Sequence, residues 1–193
     1  MHWLEFLKQF LTRNKEIGAI AESSDGLAEL ITECASVQTA KVVLELGPGT
    51  GVFTEKILQK MSDETTFFAL EVNPRFVEAT KRRCPQSRVY QDTAVNARKY
   101  MDELGVTHCD AIVSGLPWAS FPEELQDDIL DAVLDVLKPG GTFATFAYLR
   151  GDKTELGQQF RRKLNDRFSD VELSRTVWKN IWPAFVYRAR SPE

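Results

Sequence analysis

Three glycines stand at alternate positions just after a short apolar run in the first third of the chain. Segment 43–51 reads VLELGPGTG, and its glycines would let a ligand approach the backbone closely because they carry no side chain. The dinucleotide fingerprint G-x-G-x-x-G would need its third glycine where this chain has Val52. Glu45 lies two residues before Gly47, where a carboxylate would repel a pyrophosphate bound at the helix N-terminus. The loop therefore favours a positively charged ligand without phosphate; the alternative is a plain tight turn.

Two more carboxylates occur at the ends of the next predicted strands. Glu71 lies twenty residues after Gly51 and could accept both ribose hydroxyls, while Asp92 could accept an adenine amine. Either acid alone would more often be a surface residue or a helix cap. Because the carboxyl ends of parallel strands meet at one ligand-binding edge, the three acids together indicate S-adenosylmethionine, which carries an ammonium, a sulfonium, a ribose and an adenine. The predicted cofactor-binding residues are Glu45, Leu46, Gly47, Pro48, Gly49, Gly51, Glu71, Val72, Asp92, Thr93 and Ala94.

Alternating strand and helix patterns must position these residues. Short apolar runs followed by helical periodicity predict an α/β protein with a mostly parallel sheet covered by helices. The predicted strands are 42–46, 65–72, 88–91, 110–114, 142–148, 171–177 and 184–189. The predicted helices are 3–11, a segment capped by Ser23 or Ser24, 52–58, 75–83, 94–104, 123–137 and 156–168. The short link between the last two strands predicts an antiparallel edge.

The pattern of residues 42–189 resembles the class I S-adenosylmethionine-dependent methyltransferases, on the glycine loop and the three acids. The resemblance implies a Rossmann-like fold with a seven-stranded, mostly parallel sheet, an antiparallel final strand and helices on both faces. A length of 193 residues suits one domain. We therefore expect a single methyltransferase domain over 1–193, with a helical segment at 1–36 and a catalytic α/β core at 40–190.

Segment 113–122, VSGLPWASFP, follows the fourth predicted strand and resembles the NPPY or NLPY loop of methyltransferases that act on exocyclic amines of nucleic-acid bases. Gly115 replaces the asparagine of that loop, so backbone carbonyls of Ser114 or Gly115 would have to accept the amine hydrogens. Trp118 would be an aromatic wall that attracts a developing alkylammonium by about 0.5–2 kcal/mol, or else a core residue. Tyr148 would orient the amine or relay its proton, or else be a rim aromatic. The predicted catalytic residues are Ser114, Gly115, Leu116, Pro117, Trp118 and Tyr148.

Segments 17–24, 114–122 and 180–189 together resemble the bacterial phospholipid and ornithine-lipid N-methyltransferases. The resemblance implies that the acceptor is the head-group amine of a lipid such as phosphatidylethanolamine. The helix predicted from Trp3 to Leu11 has six apolar residues, three of them aromatic, which suits a membrane surface as partner; the alternative is a lid over the cofactor. A ribosomal RNA adenine dimethyltransferase-like enzyme and a small-molecule methyltransferase are the alternative functions.

The composition limits the other classes of partner and the compartment. A net charge of −4 argues against nucleic acid as a partner. No apolar run approaches the ~20 residues of a membrane span, and the N-terminal pattern is not that of a secretory signal. The three cysteines are scattered without metal-ligand spacing. We therefore expect free thiols, no metal, and a cytoplasmic protein that is peripheral at the inner membrane if the first helix binds lipid. The sequence predicts no oligomeric state.

Overall fold

A computed structural model describes residues 23–193 of the chain. The helix predicted at 3–11 and nearly all of segment 17–24 lie outside the described residues. The helices are α1 (Asp25–Cys34), α2 (Val52–Lys60), α3 (Pro74–Arg83), α4 (Ala97–Leu104), α5 (Glu123–Val136) and α6 (Glu155–Arg167). The strands are β1 (Val42–Leu46), β2 (Thr66–Leu70), β3 (Val89–Tyr90), β4 (Cys109–Ser114), β5 (Leu137–Tyr148), β6 (Asp170–Leu173) and β7 (Ala184–Arg190).

The seven strands form one sheet in the order β3-β2-β1-β4-β5-β7-β6. The pairings among β1 to β5 are parallel, whereas β7 runs antiparallel to both β5 and β6. This arrangement confirms the predicted sheet with its antiparallel final strand. The chain runs outward from β1 to β3 and then returns to β4, so the strand order reverses between β1 and β4. Ligands of open α/β sheets bind at such a reversal, beside the carboxyl ends of the strands.

Two apolar clusters cover the two faces of the sheet. Leu44 in β1 belongs to one cluster, which includes side chains of α4, α5 and α6. Its neighbour Val43 belongs to the other, together with side chains of α1, α2 and α3. Successive residues of a strand point to opposite faces, so a strand buried on both sides must be apolar at nearly every position. The predicted helices on both faces are confirmed.

Several element boundaries differ from the sequence prediction. Strand β5 begins at Leu137 instead of at residue 142. Leu137 pairs with Cys109 before a register shift, so the Pro-Gly-Gly segment bends the chain within the strand and Gly140 adopts a φ of 66°. Strand β6 ends at Leu173, and Val177 forms only an isolated bridge with Ala184.

The helix predicted at 94–104 also divides into a 3-10 turn (Ala94–Asn96) and α4. None of the helices within residues 23–193 has both the length and the apolar composition needed to cross a membrane. The differences from the predicted boundaries leave the carboxyl ends of β1, β2, β4 and β5 where the candidate site requires them.

Candidate active site

The glycine loop leaves β1 and leads directly into α2. Gly47, Gly49 and Gly51 have φ values of 70°, 60° and 86°, which lie in the left-handed region that favours glycine. A side chain added at Gly49 would meet no atom within 4 Å, so the backbone there faces open space. The loop therefore has the conformation and, at Gly49, the free surface needed to lie against a ligand; that it binds one stays a prediction.

Glu71 follows β2 and lies beside this loop. Its carboxylate accepts hydrogen bonds from the backbone N–H of Gly49 at 3.2 Å and of Asn73 at 2.9 Å. Burial raises the pKa of Glu71, while these backbone donors act in the opposite direction. The structure thus brings together the glycine loop and the acid predicted to bind ribose hydroxyls.

Glu45 is fully buried in β1, on the face covered by α2. Its Oε2 accepts a hydrogen bond of 2.6 Å from the Thr54 hydroxyl on α2, and its Oε1 has no partner in the described part of the chain. Burial raises the pKa of Glu45 to about 8. A buried polar atom without a hydrogen bond is costly, and among residues 23–193 no basic side chain lies within salt-bridge distance of Glu45 or Glu71. Without a ligand Glu45 is mostly protonated at neutral pH, and a bound cation would favour the ionised form of both acids, which agrees with S-adenosylmethionine and disfavours a pyrophosphate.

Asp92 lies two residues beyond β3, at the same edge of the sheet. Its oxygens accept hydrogen bonds from Thr93 N–H, Asn96 Nδ2 and the Tyr100 hydroxyl, each at 2.8 Å. Lys99 Nζ is 3.6 Å away. Burial alone would raise the pKa of Asp92, but these donors and Lys99 lower it overall. Because neighbours already occupy this carboxylate, its predicted contact with adenine stays a prediction.

A cavity lies over the glycine loop, and we call it the donor cavity. It includes three of the predicted cofactor residues, Gly47, Pro48 and Gly49. The other predicted cofactor residues do not line this cavity. Leu46 and Ala94, for example, belong to the hydrophobic core. Sequence reasoning missed Phe146, although Tyr148 lies two residues further along β5 and alternate strand residues share a face. The described lining residues are Ser23, Gly47, Pro48, Gly49, Thr50, Val52, Phe53, Gly115, Phe146 and Tyr148.

The segment after β4 packs closely against the glycine loop. The backbone N–H of Gly115 donates to the Leu46 carbonyl at 2.8 Å. A Cβ atom at Gly115 would lie 2.5 Å from the Gly47 carbonyl oxygen, a separation that real Cβ atoms essentially never show. The asparagine of the NPPY or NLPY loop would therefore not fit at position 115 without a shift of the backbone. Gly115 is thus required by the contact between the two loops.

The predicted acceptor groups Ser114 and Gly115 have different surroundings. The Ser114 carbonyl accepts a hydrogen bond from the Thr145 hydroxyl at 3.1 Å, and the Ser114 hydroxyl accepts the Trp118 indole N–H at 3.1 Å. Within residues 23–193 we find no hydrogen bond to the Gly115 carbonyl. Of the two carbonyls, that of Gly115 is therefore better placed to accept an amine hydrogen.

Trp118 lies mostly in the core. Only 3% of the residue is exposed, its indole N–H also donates to the Thr145 hydroxyl at 3.0 Å, and its ring stacks on Phe160 with centroids 4.4 Å apart. The packing alternative thus accounts for most of its surface. The residue nevertheless borders a cavity, so a contact with the acceptor stays a prediction.

This second cavity, which we call the acceptor cavity, has a volume of about 260 Å³. Phe146 and Tyr148 border both cavities, so the two meet at the end of β5. Burial raises the pKa of the Tyr148 phenol. The acceptor cavity is lined by Leu116, Pro117, Trp118, Ala119, Ser120, Phe146, Ala147, Tyr148, Gly151, Asp152, Thr154, Gly157, Phe160 and Tyr187.

Residues beyond Tyr148 that line this cavity were not found from the sequence. Asp152, Phe160 and Tyr187 come from a turn, from α6 and from β7. These residues are far apart in the sequence and therefore form no recognisable motif. Asp152 lies in a turn whose sequence indicates no function. Only the antiparallel pairing of β7 with β5, which places Tyr187 opposite Thr145, could have indicated that β7 contributes here.

Residues 43–141, just over half of the chain, match the profile of a family described as a methyltransferase domain. The chain belongs to the S-adenosylmethionine-dependent methyltransferases. This methyltransferase is 30% identical over 188 residues to an ornithine lipid N-methyltransferase of Singulisphaera acidiphila, covering 96% of this chain and 94% of that one. It is 29% identical over 110 residues to a probable dimethyladenosine transferase of Caenorhabditis elegans, covering 57% and 34% respectively.

Solved structures agree with this fold. The crystal structure of an O-methyltransferase from Bacillus cereus in complex with SAH superposes with a TM-score of 0.70 at 14% identity, covering 96% of this methyltransferase and 90% of that chain. At this level of identity the likeness concerns the fold alone.

Residues 23–193 contain neither a cluster of metal-ligating side chains nor a disulfide bond. The part of the chain that the structure describes contains no group of three or more His, Cys, Asp or Glu side chains suited to a metal ion. Cys34, Cys84 and Cys109 are free thiols. The absence of a metal from the reaction stays a prediction from the sequence.

Proposed function

We propose that this methyltransferase methylates the head-group amine of a membrane lipid, such as phosphatidylethanolamine or an ornithine lipid. The observation that carries the proposal is the 30% identity to an ornithine lipid N-methyltransferase across 96% of the chain. The family profile ends at residue 141, whereas this match extends over 188 residues. It therefore also includes elements after β4 that line the acceptor cavity.

The donor side is proposed to hold S-adenosylmethionine, which supplies a methyl group activated by its sulfonium. Gly47 and Gly49 would lie against it through the backbone, and Glu71 would accept the ribose hydroxyls. Glu45 lies beneath the loop with a free oxygen and would favour the positively charged end of the ligand. Orientation of the reacting groups lowers the activation barrier by as much as about 7–11 kcal/mol in well-aligned intramolecular reactions.

The acceptor side is proposed to orient the amine. The Gly115 carbonyl would accept one amine hydrogen. The Tyr148 hydroxyl stays protonated near neutral pH because burial raises its pKa, so it is suited to hold the amine by a hydrogen bond and is a poor base. Positioning is thus the main contribution that we assign to the acceptor side.

An exposed apolar loop supports a lipid surface as the partner. Trp178, Ile181 and Trp182, between β6 and β7, are 71%, 64% and 51% exposed. Such amphipathic aromatics are enriched at membrane–water interfaces. The Trp182 ring contacts Tyr148 edge to face with centroids 5.7 Å apart, so this loop lies at the rim of the site. We propose that it contacts the membrane together with the predicted helix at 3–11, placing the protein peripherally on the cytoplasmic face.

Methylation of RNA adenine is the weaker candidate. The dimethyladenosine transferase match includes only 34% of that relative, and a net charge of −4 is unfavourable for a polyanionic substrate. Gly115 also lacks the side-chain acceptor that the base-methylating loops carry at this position.

The test uses the purified full-length protein and methyl-labelled S-adenosylmethionine. We expect label to be incorporated into vesicles containing phosphatidylethanolamine or an ornithine lipid, and none into vesicles of phosphatidylcholine alone, which lack a reactive amine. Ribosomal RNA is supplied in a parallel reaction. Labelled RNA together with unlabelled amine lipids would overturn the lipid assignment.

Membrane contact is tested by flotation with the same vesicles. Removal of residues 1–11 is expected to abolish flotation, and the double variant W178A/W182A is expected to reduce it severalfold, because each removes apolar contact area. Flotation that neither change affects would place the membrane contact elsewhere.

A further inference from the structure

The acceptor cavity has an aromatic floor and an aromatic rim. Trp118, Phe160 and Tyr187 are almost fully buried and form its inner wall. Phe146 and Tyr148 are partly exposed and border the opening shared with the donor cavity. At about 260 Å³ the space lies just below the range of drug-sized ligand sites, so it suits a small head group better than a whole lipid or nucleoside.

Among residues 23–193, one charged side chain, that of Asp152, lines this aromatic space. Its backbone N–H donates to the Tyr148 carbonyl at 2.9 Å. The first turn of α6 packs so closely on this turn that a side chain at Gly157 would overlap the Gly151 carbonyl oxygen and lie 3.0 Å from the Asp152 Cα. The position of Asp152 is therefore fixed by the fold on both sides.

The Asp152 carboxylate is only partly neutralised by its surroundings. One oxygen accepts a hydrogen bond from the Tyr187 hydroxyl. The other lies 3.9 Å from Arg161 Nη1, whose side chain is 47% exposed, whereas that of Asp152 is 16% exposed. An ion pair at this distance on the surface is weak. Tyr187 and Arg161 are thus the side-chain partners of this carboxylate within residues 23–193, and they leave hydrogen-bonding capacity on its oxygens.

An organic ammonium matches these groups. Cations bind over the faces of aromatic rings, and a carboxylate adds a charge-assisted hydrogen bond to an N–H donor. An anionic ligand would be repelled by Asp152, and a hard metal ion would need several oxygen ligands. We infer that the acceptor cavity binds the cationic amino head of the acceptor, with Asp152 as the residue that recognises its charge. The bound ammonium then releases one proton to water, because only the free amine has the lone pair that attacks the methyl carbon. This inference rests on the proposed methylation of an amine.

The alternative is that Asp152 serves only as the hydrogen-bond partner of Tyr187. The variant D152N distinguishes the two roles, because asparagine keeps an acceptor oxygen for Tyr187 and removes the charge. D166N is the matched control, since Asp166 is an exposed carboxylate on α6. R161Q removes the competing cation and provides a second test should D152N fail to fold.

The probe is methylammonium, which carries both the positive charge and the N–H donors; its binding to the full-length protein is followed by ligand-observed NMR and needs no methyl transfer. We expect D152N to weaken binding by about tenfold, the size of one charge-assisted interaction, and D166N to leave it unchanged. R161Q should strengthen binding by about twofold. In assays with phosphatidylethanolamine vesicles, D152N should raise KM by about tenfold with a smaller change in kcat and an unchanged Kd for S-adenosylmethionine.

Methylammonium affinity and KM that are unchanged in D152N would overturn the assignment of Asp152, as would R161Q binding the probe more weakly than the natural protein. Failure of this inference is distinguishable from failure of the proposed function. Methylation of amine lipids with no contribution from Asp152 contradicts the inference alone. Asp152-dependent binding of the probe without methylation of any amine lipid contradicts the proposed function alone.

Discussion

The donor and acceptor cavities share Phe146 and Tyr148 but are built in different ways. The donor side depends on one contiguous loop, with backbone groups facing the ligand and the acids Glu45 and Glu71 beneath and beside it. The acceptor side is assembled from the ends of β4 and β5, a turn, α6 and β7, and its surface consists mainly of side chains. The donor side thus depends mainly on backbone conformation, whereas the acceptor side depends on individual side chains.

The two sides also treat charge differently. Glu45 and Glu71 are buried, and burial raises the pKa of each, so the donor side holds acids that a bound cation would stabilise. On the acceptor side, the partly exposed carboxylate of Asp152 lines the cavity together with aromatic side chains. The donor side should therefore respond to substitutions of backbone-lining glycines and buried acids, and the acceptor side to changes of individual side chains.

The largest effect is expected where the two sides touch. In G115N the new side chain would overlap the Gly47 carbonyl oxygen, forcing both loops to shift. We expect folding stability to fall by about 1–3 kcal/mol, as in other overpacked sites, and methyl transfer to fall by about 100-fold or more, as misplacement of reacting groups allows. Thermal unfolding and methyl transfer to amine lipids measure the two effects.

The matched control for that variant is G105N. Unlike Gly115, Gly105 has a positive φ, of 69°, which asparagine tolerates, and a side chain there would meet no atom within 4 Å. It should behave like the natural protein. An active, stable G115N variant would show that the two loops do not constrain each other.

A smaller effect is expected from E71Q, which keeps the shape of Glu71 and removes its charge. Loss of a charged acceptor should weaken binding of S-adenosylmethionine by about 10- to 100-fold, measured by calorimetry. The control is E64Q, at an exposed position just before β2. If E71Q binds as tightly as the natural protein, the ribose contact must be made by another residue.

The smallest effect is a pH dependence of stability that originates in Glu45. Its pKa is about 8 in the folded protein, against an ordinary value of 4.5. Between these values the folded protein retains a proton that the unfolded chain releases, so the free energy of unfolding falls as the pH rises and levels off above about 8. In E45Q this contribution is absent.

The measurement is urea unfolding of E45Q and of the natural protein without ligand at pH 5, 6, 7 and 8. The stability of E45Q relative to the natural protein should rise by about 1 kcal/mol or more over this range. Glu71 is present in both proteins, so the difference between them measures Glu45 together with its repulsion by Glu71, and E64Q should show no such trend. A difference that stays constant with pH would mean that Glu45 is already ionised in the folded state.

The donor side of the site was easier to predict from the sequence than the acceptor side. The donor side lies mostly within one motif, so the spacing of the glycines, Glu45 and Glu71 could be interpreted from the sequence. Alternating patterns predicted a mostly parallel sheet covered by helices, but not the order of its strands. The acceptor side depends on packing between distant segments, which no local pattern encodes. Gly115 illustrates the limit: the sequence showed that asparagine was missing, but only the close approach to Gly47 explains why.

The central claim is that the acids at the ends of β1 and β2, with the glycine loop, bind a cationic nucleoside. A crystal structure of the full-length protein with S-adenosylhomocysteine tests this most directly. We predict that the ribose hydroxyls lie within hydrogen-bonding distance of the Glu71 carboxylate and that the backbone of Gly47 and Gly49 contacts the ligand. A nucleoside bound away from Glu45, Glu71 and this loop would contradict the account.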